Sequence, residues 1–212
     1  MKRIEYDVLF VGGGISSLSA AHRLVDLAMQ EKASLRIAVL EKGKDFGSHI
    51  LSGAVSNPRS IKKLFPDYET NGFPVEGRCA ESHVMMLGRK KAWEIPSIIS
   101  PSEMNKLGCL ILSLSDVVKW MASSLVEKVK DSPSIIVDLY NGFPAAKVIY
   151  NGSRIEGVKV DNTGAAENDN CYSRVTVFGD KGFISRDIIT KFNLAQLPQK
   201  WAVGVKEIWE TQ

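Results

Sequence analysis

Three consecutive glycines, Gly12-Gly13-Gly14, stand between an apolar run and an amphipathic one, and they restrict the fold more than any other stretch of the chain. Tyr6 to Val11 reads as a buried strand. From Ile15 onward the apolar positions Ile15, Leu18, Ala21, Leu24, Val25 and Ala28 recur every three or four residues, the period of a helix with one buried face. A strand that turns through glycines into a helix leaves unpaired N–H groups at the helix start, where they and the helix dipole favour an anion. The spacing Gly12-x-Gly14-x-x-Ser17 is that of the dinucleotide fingerprint with one substitution. In that turn the first glycine allows the tight bend, the second lets a pyrophosphate approach, and the third permits close helix–strand packing. Ser17 adds a hydroxymethyl group where glycine or alanine is usual.

The residues beyond the helix agree with this reading. A second apolar strand, Arg36 to Leu40, ends in Glu41, which lies 24 residues beyond Ser17, about where an acid meets a ribose in such folds. A carboxylate there accepts hydrogen bonds from the 2′ and 3′ hydroxyls and repels a 2′-phosphate. The expected ligand is therefore an ADP moiety, with pyrophosphate at the start of the Gly14 to Ala28 helix and ribose at Glu41. The alternative is a structural strand-turn-helix beside an exposed glutamate.

The chain has 212 residues, 44% hydrophobic and 24% charged, enough to bury the core of one domain or one and a half. A net charge of +3 without a dense Lys/Arg block gives no sign of nucleic acid. Cys79, Cys109 and Cys171 are far apart and form no C-x-x-C pair, which fits free thiols in a reducing compartment and supplies neither a zinc nor an iron–sulfur ligand set. Met1 leads through two basic residues directly into the first strand, so no targeting peptide is expected, and no apolar run approaches the ~20 residues of a membrane span. Any membrane contact is expected to be peripheral.

Further along, Lys42 to Ala54 is a glycine-rich irregular loop of the kind that lines a ligand. Asn57-Pro58-Arg59-Ser60 opens a short helix toward Phe65, ended by Pro66. His83 to Leu87 and Lys91 to Ile95 form a hairpin, and Ile95 to Pro101 is apolar but broken by prolines. Cys109 to Leu114 is a strand. Ser115 or Asp116 caps the next helix, whose inward stripe is Val117, Val118, Met121, Leu125, Val126 and Val129. Strands are expected at Ser134 to Leu139, Ala145 to Tyr150, Arg154 to Val160, Arg174 to Phe178 and Ala202 to Ile208, with Asn151-Gly152 as a type I′ turn. Asp161 to Asn170 reads as a polar loop, and a helix is expected from Ser185 or Arg186 to Phe192. His22 is placed on the polar face of the first helix. Trp120, Trp201 and Trp209 are taken as packing residues. The last strand is followed at once by Glu210-Thr211-Gln212, where a doubly wound sheet would need more strands to close around a nucleotide.

The segments YDVLFVGGGISSLSAA, LEKG, GSHILSGAV, NPR, the Ile95 to Leu114 region, the Trp120 helix, NGFPAAKV, SRDIITKFNL and GVKEIWE resemble the N-terminal part of electron-transfer flavoprotein:ubiquinone oxidoreductases. The resemblance runs from Tyr6 to Glu210. It implies an α/β fold of the glutathione-reductase type, an FAD-binding Rossmann-like fold in three layers with a mostly parallel sheet and inserted antiparallel strands. The nucleotide core would span residues 4–42 and 134–182, with an inserted region at 83–131, the whole 1–212 being an incomplete FAD/NAD(P)-binding domain. The activity implied is passage of electrons from reduced electron-transfer flavoprotein to ubiquinone, with peripheral membrane contact, on the cytoplasmic side in a bacterium, through Ile95, Ile98 and Ile99. Implied FAD contacts are Gly12, Gly13, Gly14, Ile15, Ser16, Ser17, Glu41, Lys42, His49, Ser52, Gly53 and Gly179, with pyrophosphate on Gly12, Gly13, Gly14 and Ser16, and the flavin near Ser52-Gly53. No catalytic acid, base or nucleophile is implied.

Two stretches depart from the family pattern, Ile15-Ser16-Ser17 and the shortened turn Gly179-Asp180-Lys181-Gly182, which reads either as part of the FAD site or as a surface turn. Family members continue into the rest of the FAD domain, the quinone site and a four-cysteine [4Fe-4S] domain, so the chain alone is not expected to turn over. Two other functions compete: a geranylgeranyl-reductase-like flavoprotein, and a non-catalytic remnant that binds ADP-like ligands or a partner.

Overall fold

A computed structural model describes residues 3–51, 53–96, 98–161, 170–179, 182–195 and 197. In chain order the elements are β1 (Arg3–Val11), α1 (Ile15–Gln30), β2 (Leu35–Glu41), β3 (Gly53–Ser56), α2 (Pro58–Leu64), β4 (Gly77–Arg78), β5 (Val84–Leu87) and β6 (Ala92–Ile95). A single 3-10 turn at Ser102–Met104 is followed by β7 (Leu110–Ser113), α3 (Leu114–Val129), β8 (Ile135–Asn141), β9 (Ala145–Asn151), β10 (Arg154–Val160), β11 (Asn170–Phe178) and α4 (Phe183–Lys191). The expected strand at Ala202 to Ile208, most of the Asp161 to Asn170 loop, and Trp201 and Trp209 lie outside the described residues.

The central sheet has the order β8-β2-β1-β11-β10-β9. The pairings β8–β2, β2–β1 and β1–β11 are parallel, while β10 joins β11 and β9 in antiparallel fashion. Two small antiparallel sheets, β3-β7-β4 and β5-β6, are formed by strands that fall between β2 and β8 in the chain. The fold is thus the α/β, mostly parallel arrangement expected from the strand-glycine-helix opening.

Both faces of the sheet are covered, which is why β2 is apolar at successive positions rather than at alternate ones. Ile37 and Val39 face a core built with α1 and α3, joined by Phe65, Tyr68 and Phe73, whereas Ala38 and Leu40 face a second cluster with Tyr6, Val158, Val160 and Cys171. Trp120 stacks edge-on against Phe65 and Phe73 at centroid distances of 4.9 and 5.1 Å, the packing role expected of it.

Several local expectations are corrected. The α3 helix begins at Leu114 and its cap is Ser113, whose side chain accepts from the Asp116 N–H, because the β7 strand runs directly into the helix. Ser115 instead donates its hydroxyl to the Gly47 carbonyl at 3.0 Å and so ties α3 to the loop after β2. Val126 is 47% exposed, and Ala122 takes the buried position. The β9–β10 turn is centred on Gly152-Ser153, with Asn151 paired to Arg154, and only Gly152 of the turn has positive φ, at 61°. A type I′ turn needs positive φ at both central residues, so this one follows the II′ pattern, glycine first. The β11 strand starts at Asn170, and α4 starts at Phe183 behind Gly182.

His22 departs most from expectation, being fully buried. It stands one turn after Leu18 and one before Val25, on the inward stripe of α1. Its Nε2 lies 2.9 Å from the Met121 carbonyl, so Nε2 carries the proton and donates, while Nδ1 has no partner among the described residues. The ring packs edge-on against Phe65 at 4.9 Å. Desolvation by burial, with Lys128 acting in the same direction, lowers its pKa from 6.5 to about 4 against the opposing pull of the Met121 carbonyl and Asp26. The folded protein thus holds this proton more weakly than the unfolded chain does. Its stability is whole above pH 6.5 and declines as the pH falls toward about 4. The loss amounts to about 3 kcal/mol at ~1.4 kcal/mol per pKa unit. Urea unfolding of wild type and His22→Leu across this range checks it: the variant should lose about one proton's worth of acid dependence, and an unchanged slope would refute the assignment.

Candidate nucleotide site

The site is set by where the parallel strands end. β2 and β8 are in register through Glu41 and Asn141, and Val11 of β1 pairs with Leu40. The carboxyl ends of all three strands therefore meet at one edge. From β1 the sheet extends through β2 on one side and β11 on the other, so the crevice above Val11 is the topological switch point, where ligands bind in open α/β sheets.

The glycines divide the work of the turn. Gly12 has φ 97°, a backbone shape that favours glycine, and donates its N–H to the Leu40 carbonyl at 2.8 Å. Gly13 is backed by the Phe46 ring and Glu41, which a Cβ there would meet at 2.5 and 3.0 Å. Gly14 is the N-cap of α1, with no side-chain cap bond and no acidic residue in the first turn, and a Cβ on it would meet nothing within 4 Å. Open space therefore lies in front of a helix start whose amides no side chain among the described residues has claimed, and an anion fits there.

Glu41 closes the turn from the other side. Its Oε2 accepts the Gly13 N–H at 3.0 Å and its Oε1 the Gly43 N–H at 2.7 Å, and its side chain is 13% exposed. Each carboxylate oxygen has two lone pairs, so one on each remains for a ligand hydroxyl. His49 Nδ1 stands 3.9 Å from Oε1. A cavity of about 180 Å³ is lined by Gly12, Gly13, Gly14, Glu41, Lys42, Gly47, His49, Ile50 and Gly179. A narrower one of about 70 Å³ shares Gly12, Glu41 and Lys42 and continues to Phe143, Pro144, Ala145 and Ile184.

The structure thus brings together Gly12, Gly13, Gly14, Glu41, Lys42, His49 and Gly179. Ile15 points to solvent, 42% exposed, and Ser16 is also exposed; neither lines the cavity. Gly53 lies in β3, close against the Leu112 carbonyl, and does not line the cavity, and Ser52 is outside the described residues. The Lys42 to Ala54 loop expected to line a ligand does so through Gly47 and Ile50, with Phe46 behind Gly13, whereas sequence reasoning missed Phe143, Pro144 and Ala145. The last three come after β8, and only the adjacency of β8 to β2 brings them to Glu41, through the Phe143 N–H donating to the Glu41 carbonyl at 2.9 Å.

Ser17, the odd member of the fingerprint, is complemented rather than tolerated. It is buried, its Oγ meets no partner among the described residues, and a Cβ built on Gly179 would fall 2.1 Å from that oxygen. The bulk absent at position 179 makes room for the bulk added at position 17. Gly179→Ala should therefore cost about 1–3 kcal/mol through overpacking, and Ser17→Gly should restore most of it in the double variant. Ser17→Ala alone should raise the melting temperature, because a buried hydroxyl without a partner costs about 1–3 kcal/mol. Calorimetric melts of the four proteins test the pair, and additive effects would show that the two sites do not touch.

The comparisons with known proteins agree with this geometry. Residues 11–75 match the family model described as an NAD(P)-binding Rossmann-like domain. The chain is 32% identical, over 98% of its length, to a protein of Acinetobacter baylyi named probable electron transfer flavoprotein-ubiquinone oxidoreductase, covering 38% of that protein. It is 33% identical, over 97% of its length, to the mitochondrial electron transfer flavoprotein-ubiquinone oxidoreductase of Dictyostelium discoideum, covering 35% of it. Among solved structures, a geranylgeranyl bacteriochlorophyll reductase-like protein from Thermoplasma acidophilum superposes with a TM-score of 0.60 over 84% of this chain and 40% of that one, at 18% identity. A flavoprotein/dehydrogenase from Cytophaga hutchinsonii gives 0.58 over 89% of this chain and 42% of that one, at 16% identity. The structural likenesses establish the fold, and the sequence likenesses go further: along nearly its whole length the chain is similar to proteins named electron transfer flavoprotein-ubiquinone oxidoreductase, and it spans little more than a third of their length.

Proposed function

We propose that the chain holds the ADP half of FAD and serves in passing electrons from reduced electron-transfer flavoprotein to ubiquinone. The observation that carries this is the open helix start at Gly14 facing a cavity closed by Glu41, in a chain related throughout to oxidoreductases of that name. The first amides of α1 would hold the pyrophosphate, the free lone pairs of Glu41 the ribose hydroxyls, and the Phe143-Pro144-Ala145 slot the purine. Lys42 at the cavity mouth adds positive charge beside the diphosphate. When bound, FAD supplies the redox chemistry, and these residues bind and orient it. Ser52 and Gly53 remain the expected flavin neighbours by resemblance alone.

The visible spectrum of the purified protein, followed by a thermal melt with and without FAD, tests the reading. Flavin absorbance, or a melting temperature raised by FAD and by ADP but less by the 2′-phosphorylated analogue, supports it. No flavin and no shift would leave the fold without the cofactor.

Peripheral membrane contact belongs to the same proposal. Ile98 and Ile99 are 92% and 74% exposed, and Met85, Met86, Leu87 and Trp93 of the β5–β6 hairpin are exposed too, around a tip that carries Arg89, Lys90 and Lys91. Exposed apolar side chains beside basic ones are suited to an anionic lipid face. Among the described residues no helix is long and apolar enough to cross a membrane. Co-sedimentation with vesicles of acidic phospholipid should fall on Ile98→Glu and Ile99→Glu substitution, and equal sedimentation would remove the membrane part of the proposal.

A second reading, a nucleotide-binding protein without electron transfer, is favoured by one observation: Glu41 already satisfies two loop amides, so the turn is held in shape whether or not a ribose is bound. Binding of ADP as strong as that of FAD, with no flavin retained on purification, would support it.

A further inference from the structure

Two of the three cysteines are joined backbone to backbone at a place the nucleotide site does not use. β4 and β7 pair Gly77 with Ile111 and Arg78 with Leu110, and one step further along that ladder Cys79 meets Gly108-Cys109. The Cys79 N–H donates to the Cys109 carbonyl at 2.8 Å, and the Gly108 N–H returns a bond to the Cys79 carbonyl at 2.8 Å. Gly108, with φ 75°, and Cys109 thus oppose Cys79 together as a glycine bulge, and residues hydrogen-bonded across an antiparallel ladder have Cα atoms about 5.5 Å apart, within the span of about 4.4–6.8 Å that a disulfide bridges.

The side chains share a face. A Cβ built on Gly77 lies 3.9 Å from Ile111 Cδ1, so positions 77 and 111 look the same way, and two residues along each strand positions 79 and 109 return to that face. Cys79 is partly exposed and its Sγ donates to the Glu81 carbonyl at 3.1 Å, while Cys109 is buried. An accessible thiol thus stands across a ladder from a sheltered one. Among the described residues no group of three or more His, Cys, Asp or Glu is placed to hold a metal ion, so no such site claims them. Cys171 lies on β11 in the other core cluster.

We propose that Cys79 and Cys109 form a reversible disulfide by exchange with a low-molecular-weight disulfide of the glutathione type. The Cys79 thiolate attacks one sulfur of the reagent, forming a mixed disulfide and expelling one reagent thiolate. The Cys109 thiolate then attacks Cys79 Sγ and expels the second. Two protein thiols lose their protons and two electrons to become one disulfide, and the reagent is reduced to two thiols. The bond closes the base of the segment 80–108, which carries the β5–β6 hairpin and Ile98 and Ile99. It therefore fastens the apolar lobe to the β3-β7-β4 sheet without touching the nucleotide crevice.

The test uses the whole native chain with oxidised glutathione at mildly alkaline pH, followed by thiol counting in denaturant and peptide mapping. The expected result is loss of two of the three thiols, a Cys79–Cys109 linked peptide, and slower proteolysis within 80–108 that reverts on reduction. Cys171→Ser should give the same linkage, and Cys109→Ser should stop at glutathionylated Cys79. Mapping of the wild type needs no variant to fold. A stable mixed disulfide on Cys79 beside a free Cys109, or a bridge to Cys171, would overturn the proposal whatever the outcome for FAD.

Discussion

Gly157→Ala should destabilise the protein by about 3 kcal/mol or more, lowering its melting temperature by roughly 6 °C or more for a chain of this size. At Gly157 the β10 strand lies opposite Tyr172 of β11, just past a register shift against β9 on its other edge, with φ 154°. A Cβ there would lie 2.0 Å from the Cys171 carbonyl oxygen and 2.9 Å from Tyr172 Cα. Those atoms are backbone of the strand that pairs with β1 along its length, and they cannot rotate aside. Gly152→Ala is the control: its φ of 61° is also left-handed, but its Cβ would meet nothing within 4 Å. That variant should cost only the dihedral penalty, about 1–2 kcal/mol. Equal melts for the two would mean that backbone angle, not contact, sets the cost.

Glu41→Gln should act on fold and ligand together. The carboxylate accepts from both Gly13 and Gly43, and an amide can accept with only one of its two heads, leaving the other N–H facing a donor. Hydrogen bonds to a charged group contribute about 1.5–3 kcal/mol, so the apo protein should melt several degrees lower. The same change removes a ribose acceptor, and FAD affinity should fall at least about tenfold, which corresponds to ~1.4 kcal/mol. Isothermal titration of Glu41→Gln beside Ser17→Ala separates the effects, because Ser17 lies behind the turn and its loss should leave affinity unchanged. Full FAD affinity in Glu41→Gln would place the ribose elsewhere.

The elements were legible wherever a local rule fixes them. Periodicity gave α1, the glycine-bounded apolar runs gave β1 and β2, and Asn57-Pro58 marked α2, whose Asn57 side chain accepts the Arg59 N–H at 3.0 Å. The site was legible as far as the chain itself carries it, through Gly12 to Gly14 and on to Glu41. What escaped depends on neighbours distant in sequence. His22 reads as polar until Met121 supplies a carbonyl and Phe65 a ring face. Ser17 reads as a defect until Gly179 is set against it. The Phe143 slot needs β8 beside β2, which no local pattern announces.

The central strand waits longest for its neighbours. β1 meets β2 soon after α1 closes, yet its other edge is filled only by β11, with Arg3 paired to Asn170 and Val11 to Phe178. During synthesis β1 must therefore keep that edge unpaired until β11 has left the ribosome, a topology that slows folding and leaves an adhesive ribbon exposed meanwhile. Yield in a host should accordingly depend on how fast the later segments are translated and on how well chaperones shield the first.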